Sequence, residues 1–178
     1  MKTAMNFFMR EITSEDWEAV HSYASISDVC RFQAWGPNSE RETKLYIEQV
    51  LTDTNAENRT RYVWGLADVE EGHLIGTSEI NVLDQENEIG RISYVIHPGY
   101  WGRGIATQAA EQMISYGFQQ LALHRVEAVC DPRNAAAIRV LEKNGLEKEG
   151  RMRGHLKLNQ GWRDSYLYSI LATDALYR

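Results

Sequence analysis

Apolar positions change their period along this chain, and the changes mark out its elements. Asn6–Ile12 reads as an opening strand. A helix follows from Ser14, with Trp17, Val20 and Ala24 on one face. Ser39 and Glu42 have the spacing of a capping box, in which each side chain satisfies an amide at a helix start. Leu45, Ile47, Val50 and Leu51 continue that helix. Strand-like segments come next, at Tyr62–Val69, Leu74–Leu83 and Glu88–Ile96. The turn signals between them, Glu71-Gly72 and Asp84–Asn87, are short, which favours an antiparallel meander. Beyond Gly104 the helical period returns. Ile105, Ala109 and Met113 form one row, with Ala106, Ala110 and Ile114 as its neighbour. Val126–Cys130 is a short strand, Asn134 a helix N-cap, and Ala137, Ile138 and Leu141 one helix face. Gly145 suits the position just past that helix, and Asp164–Leu171 reads as a final strand.

The expected architecture is a mixed α/β sandwich around one sheet, with helices on both faces. An antiparallel meander leads into a β–α–β unit, whose strands at 88–96 and 126–130 should be parallel neighbours. Ligands tend to bind where the strands of such a unit diverge. No repeat, low-complexity tract or linker divides the chain, so residues 1–178 read as one domain.

Composition narrows the classes. A chain 43% hydrophobic and 25% charged is balanced like a soluble globular protein. Its net charge of -6 argues against nonspecific nucleic-acid binding, which draws on Lys and Arg. No run approaches the roughly 20 apolar residues that span a bilayer. The opening MKTAMNFFMREITSED acquires charge too early for a signal peptide, which points to the cytoplasm. Cys30 and Cys130 stand in neither metal-ligand nor redox spacing and read as reduced thiols. The histidines show no ligand spacing either, and no metal is expected.

Chemistry concentrates in Ser93–Thr107, SYVIHPGYWGRGIAT. A strand runs through glycines straight into a helix. A helix start has unpartnered amides and about half a positive charge of dipole. Glycines let a large anion approach those amides closely. Residues 102–107 are therefore a candidate phosphate or pyrophosphate site, with Arg103 adding a formal charge. A plain tight turn explains Gly102 and Gly104 equally well. The Walker loop is absent, and the dinucleotide fingerprint fails at Thr107, where its third glycine belongs.

Trp101-Gly102-Arg103-Gly104-Ile105-Ala106 resembles the Arg/Gln-x-x-Gly-x-Gly/Ala motif of the GNAT acetyltransferases. GYWGRGIAT, then DPRNAAAIRVLEKNGL, then GWRDSYLYSIL is similar, in that order, to their Rim-type branch. The general motif has Arg or Gln where Trp101 stands, but Trp is common there in this branch. The resemblance implies a GNAT-like fold and an N-acetyltransferase that moves an acetyl group from acetyl-CoA to a primary amine. The acceptor would be a protein N-terminus or a small amine, attacking directly in a ternary complex. Pyrophosphate would rest on Trp101, Gly102, Arg103, Gly104, Ile105, Ala106 and Thr107. The pantetheine arm would follow the backbone of Tyr94, Val95 and Ile96, and Asn134 would support the arm or the thioester. An N-cap role also accounts for Asn134.

Acetyl transfer needs a neutral amine, a stabilised carbonyl oxygen and a departing thiolate. The amide of Val95 or Ile96 can polarise the carbonyl. Glu79 is the first candidate base and Glu88 the second, although a lone strand carboxylate often just faces solvent. His97 can also act as a base, or simply end its strand. The family's acid positions fall on Leu141, where many members have Tyr, and on Ala137, where Rim-type relatives often have Ser. Tyr166, Tyr168 or water is left to protonate the thiolate. That gap keeps open a non-catalytic acyl-CoA-binding or sensor module. Specificity should lie in the loops Cys30–Asn38 and Arg151–Trp162, and monomer and homodimer both stay open.

Overall fold

In the computed structural model, residues 6–158 and 161–174 are described. The reading of the chain's first few residues therefore lies outside the described residues. Seven strands form one sheet in the order β1-β2-β3-β4-β5-β7-β6. They are β1 Phe7–Glu11, β2 Arg61–Asp68, β3 Leu74–Asp84, β4 Ile89–Ile96, β5 Arg125–Cys130, β6 Glu147–Leu158 and β7 Gly161–Leu171. The helices are α1 Trp17–Ala24, α2 Ser27–Cys30, α3 Glu40–Thr54, α4 Ile105–Gln119 and α5 Ala135–Lys143. All neighbours pair antiparallel except β4 and β5, the parallel pair expected of the β–α–β unit.

Helix ends follow local chemistry. Ser39 and Glu42 exchange side-chain-to-backbone bonds at the start of α3, so the capping box forms. At the end of α5, Gly145 takes a φ of 77° and the Leu146 amide reaches back to the Leu141 carbonyl. That bond satisfies a carbonyl the helix leaves open. Among the described residues no helix is long and apolar enough to cross a membrane.

Each sheet face buries its own cluster. α1 and α3 bring Val20, Tyr23, Ile47 and Val50 onto Val63, Ala67 and Leu74. On the other face, Met113 and Ile114 of α4 and Leu141 of α5 pack with Ile80, Ile92, Val126 and Ile170. Leu45, on the remaining face of α3, is exposed.

Two elements differ from the sequence expectation. α2 adds a single turn after α1, too short to show a period. More consequentially, Arg151–Leu158 is strand rather than specificity loop, because β6 runs from Glu147 to Leu158 and hairpins with β7. β6 lies on the sheet edge with every side chain partly or fully exposed, so it shows no apolar alternation. β7 accordingly begins at Gly161 rather than Asp164.

Two ion-paired carboxyls, Glu149 on β6 and Asp16 beside β1, link stability to acid. Arg125 and the Ser169 hydroxyl bond Glu149 and pull its carboxyl from 4.5 down to about 2. At Asp16 burial works upward, but the bonds from Arg10 and Thr13 outweigh it, so its pKa also lies below the usual value. A carboxyl depressed by folding stabilises above its unfolded value and loses that contribution as pH falls through the folded one. The melting temperature should therefore drop between pH 4.5 and about 2. Glu149→Gln should flatten that slope in a series of thermal melts, and an unchanged slope would show that the pair contributes nothing.

Candidate active site

β4 and β5 pair only from Ile89↔Arg125 to Arg91↔Glu127 and then part, while β4 continues to Ile96 and β5 to Cys130. The His97 amide donates to the Ile75 carbonyl at 2.8 Å, which turns that peptide toward β3. Peptide direction alternates along a strand, so Val95 also faces β3, while Tyr94 and Ile96 face the gap. The Trp101 indole N–H takes the Ile96 carbonyl at 2.8 Å, leaving the Ile96 amide aimed at the opening.

A cavity of about 690 Å³ fills this gap and reaches both faces of the sheet. On the α1–α3 side its walls are Val29, Phe32 and Gln33. On the other side they come from Ile105, Ala106 and Thr107 of α4 and from Ala137, Val140 and Leu141 of α5. Ser93, Tyr94, Val95 and Ile96 line the centre.

The glycine loop meets this cavity with bare amides. Gly102 and Gly104 hold φ of 75° and 82°, a region that costs other residues about 1–2 kcal/mol. A Cβ at Gly102 would meet nothing within 4 Å, so no protein atom fills the space beside the loop. Gly104 is the N-cap of α4 and offers no capping side chain. By contrast, Ser39 Oγ accepts from the Glu42 amide at the start of α3, and Asn134 Oδ1 from the Ala137 amide at 3.0 Å on α5. Of these helix starts, the one without a side-chain cap opens into the cavity. Gly102, Gly104 and Trp101 line the wall, but Arg103 does not. Its guanidinium donates to the Gly99 carbonyl at 3.1 Å and lies over the Tyr100 ring.

At the far end of β5, Asp131 joins both sides of the cleft. Arg133 bonds its carboxylate at 2.8 Å, and Arg163 Nε lies 3.7 Å away. Arg163 also donates to the Phe32 carbonyl at 2.7 Å, tying the loop after α2 to β7. Burial pushes the Asp131 carboxyl up, but the bonds from Arg133 win and hold it below its usual value. Asn134, which caps α5, also lines the cavity.

The two candidate catalytic side chains lie off the cavity wall. Glu79 is in β3, opposite the wall residue Ser93, and pairs with Arg61 at 2.7 Å. The Asn81 amide donates to its other oxygen. Tyr166 packs among the cluster under α4 and α5, with the Lys148 ammonium 3.1 Å from its ring centroid. Glu88 is exposed in its turn, and His97 accepts from the Gly99 amide at 3.1 Å as a local cap. Leu141 and Ala137 do face the cavity and carry no donor. His155, one of the scattered histidines without ligand spacing, stands on β6 off the cavity wall with its ring 3.0 Å from the buried Ser165 hydroxyl. A scattered histidine on an unrecognised edge strand offered no signal. Burial, with Arg91 and Arg163 nearby, holds it below its ordinary pKa and hence neutral at pH 7.

Comparison with known proteins agrees with this geometry. Residues 6–147 match the family described as "Acetyltransferase (GNAT) domain". An uncharacterized N-acetyltransferase of Bacillus subtilis, YnaD, is 31% identical over 95% of each chain. The spermidine N(1)-acetyltransferase of Escherichia coli K12 is 28% identical, over 93% of this chain and 86% of its own length. A crystal structure of a GNAT-family acetyltransferase from Bacillus anthracis is 30% identical, covers 97% of this chain and 98% of its own, and superposes with a TM-score of 0.84.

Proposed function

We propose, for a chain that belongs to the GNAT acetyltransferase family and is acetyl-CoA-dependent, that its acceptor is an amine of low charge, a protein N-terminus or a small monoamine. The single observation that carries the placement of the cofactor is the uncapped start of α4, which opens into the cleft between the diverging strands. In this reading the amides of Gly102 to Thr107 take the diphosphate. The gap-facing peptides of Tyr94 and Ile96 hold the pantetheine arm, and Asn134 supports it. One catalytic domain spans the chain and works in the cytoplasm.

Ion pairing of the carboxylates on and near the diverging strands supports the acceptor class. Glu127 is neutralised by Arg91 and Arg125, Asp131 by Arg133 and Arg163, and Glu79 by Arg61. Among the described residues of the cavity wall, Asp28 is the carboxylate with no ion pair. A polyamine carries several cations and needs several such partners. One carboxylate suits one cation.

The cofactor supplies the acetyl group as a thioester and departs as a thiol. The Ile96 amide, rather than that of Val95, donates to the reacting carbonyl oxygen, because Val95 turns toward β3. Both substrates are bound when the amine attacks, and the proton it loses passes by water along Ser93 to Glu79. Leu141 and Ala137 offer no proton on the wall, so water would protonate the departing thiolate. Glu79→Gln should slow turnover by about a hundredfold and leave acetyl-CoA affinity unchanged. Undiminished rates across the pH range would remove Glu79 as the base.

Thiol release from acetyl-CoA against N-terminal peptides, monoamines, spermidine and aminoglycosides tests the whole reading. Peptides or monoamines should turn over fastest. A clear preference for spermidine would defeat the charge argument. Tight cofactor binding with no turnover on any amine would instead indicate a binding or sensor module.

A further inference from the structure

One face of α5 lines the same cavity with Ala136, Arg139, Val140 and Lys143, spaced three and four residues apart. Both cations are exposed, and neither has an ion pair among the described residues. The neighbouring carboxylate, Glu142, is engaged elsewhere, accepting from the Tyr168 hydroxyl at 3.3 Å. A second contact fixes where this face lies. Asn144 Nδ2 donates to the Thr107 carbonyl at 3.2 Å, pinning the end of α5 to the first turn of α4. Arg139 and Lys143 therefore line the same cavity as the glycine loop, on a helix whose end is bonded to the first turn of α4.

Coenzyme A carries two kinds of phosphate. Its diphosphate is a linker that a nest of amides can hold. Its 3′-phosphate is a terminal monoester near two negative charges, which calls for formal cations, ideally an Arg fork with a second cation beside it. The other arginines near this mouth are committed, Arg103 to the Gly99 carbonyl and Tyr100, and Arg133 to Asp131. We infer that Arg139 and Lys143 form the seat of the 3′-phosphate, and that this pair distinguishes coenzyme A from analogues lacking that group. The inference rests on the cofactor placement proposed above.

Calorimetric titration with coenzyme A and with 3′-dephospho-coenzyme A tests it, using the wild-type chain, R139A/K143A and the charge-conserving R139K/K143R. The wild type should prefer coenzyme A by about tenfold or more, as charge-assisted bonds allow. R139A/K143A should bind both ligands as weakly as the wild type binds the dephospho form, and R139K/K143R should retain most of the preference. Unchanged dephospho affinity in the double variant excludes a general loss of structure. A wild type that binds both ligands equally, or an R139A/K143A chain that still discriminates, overturns the seat and leaves the cofactor cleft standing. A wild type that binds neither overturns both.

Discussion

Gly104→Glu should abolish acetyl-CoA binding, with affinity falling by about a hundredfold or more, as expected when a bound anion meets a fixed one. Two effects combine. Gly104 sits at a φ of 82°, so any side chain there costs about 1–2 kcal/mol of backbone strain. The larger effect is chemical. The nearest atom to a Cβ at Gly104 is the side-chain Nε2 of Gln108 at 4.0 Å, so the new carboxylate has room to swing onto the α4 amides. It would cap the helix and stabilise it while occupying the seat of the diphosphate with the same sign of charge. Gly104→Ala separates the effects, since it keeps the strain and omits the charge, and about a tenfold loss is expected. Gly72→Ala is the remote control. Its φ of 73° imposes the same strain in a turn with nothing within 4 Å, so cofactor affinity should not change. Calorimetry on folded protein decides, and a Gly104→Glu chain with wild-type affinity would remove the loop from the site.

Ile80→Ala should give the largest loss of stability among simple truncations, about 3–4 kcal/mol. Ile80 is fully buried in the cluster between β3 and α4. The helix cannot settle into the space left behind, because it already touches the sheet there. A Cβ at Gly117 would lie 2.9 Å from Ile80 Cδ1 and 3.2 Å from both Leu123 Cδ1 and Val126 Cγ2. Gly117→Ala alone should therefore cost about 1–3 kcal/mol by overpacking. In the Ile80→Ala background that methyl enters the vacated volume, and its cost should shrink or reverse. Denaturant unfolding of the two single variants and the double completes the cycle. Additive losses would mean that the two positions do not share one packing site.

What the sequence revealed, and what it hid, follows from burial. The meander and α4 were readable because each has one face in the core, and burial writes its period into the chain. Capping at Ser39 and Asn134 was readable because it is local chemistry. β6 was hidden because an edge strand buries too little to alternate. In the site, the glycine loop announced itself by spacing, but Arg103 turned away toward Tyr100, a contact that no spacing encodes. Arg163 and Asp131 meet across the ends of different strands, and Arg139 with Lys143 gains meaning only from where Asn144 anchors its helix. The choice between the Val95 and Ile96 amides needed the register of β4 on β3, which the alternation of side chains leaves undetermined.

Because the cleft pierces the sheet, the molecule has a front door and a back door. Helix ends and strand peptides, which the fold itself dictates, frame one entrance. The turn after α2, tied by Arg163 to a distant strand, frames the other. Mutation can refurnish that second entrance cheaply, since few backbone bonds depend on it. If the cofactor enters by the first, as proposed, side-chain changes at the second would retune the acceptor and spare the cofactor seat.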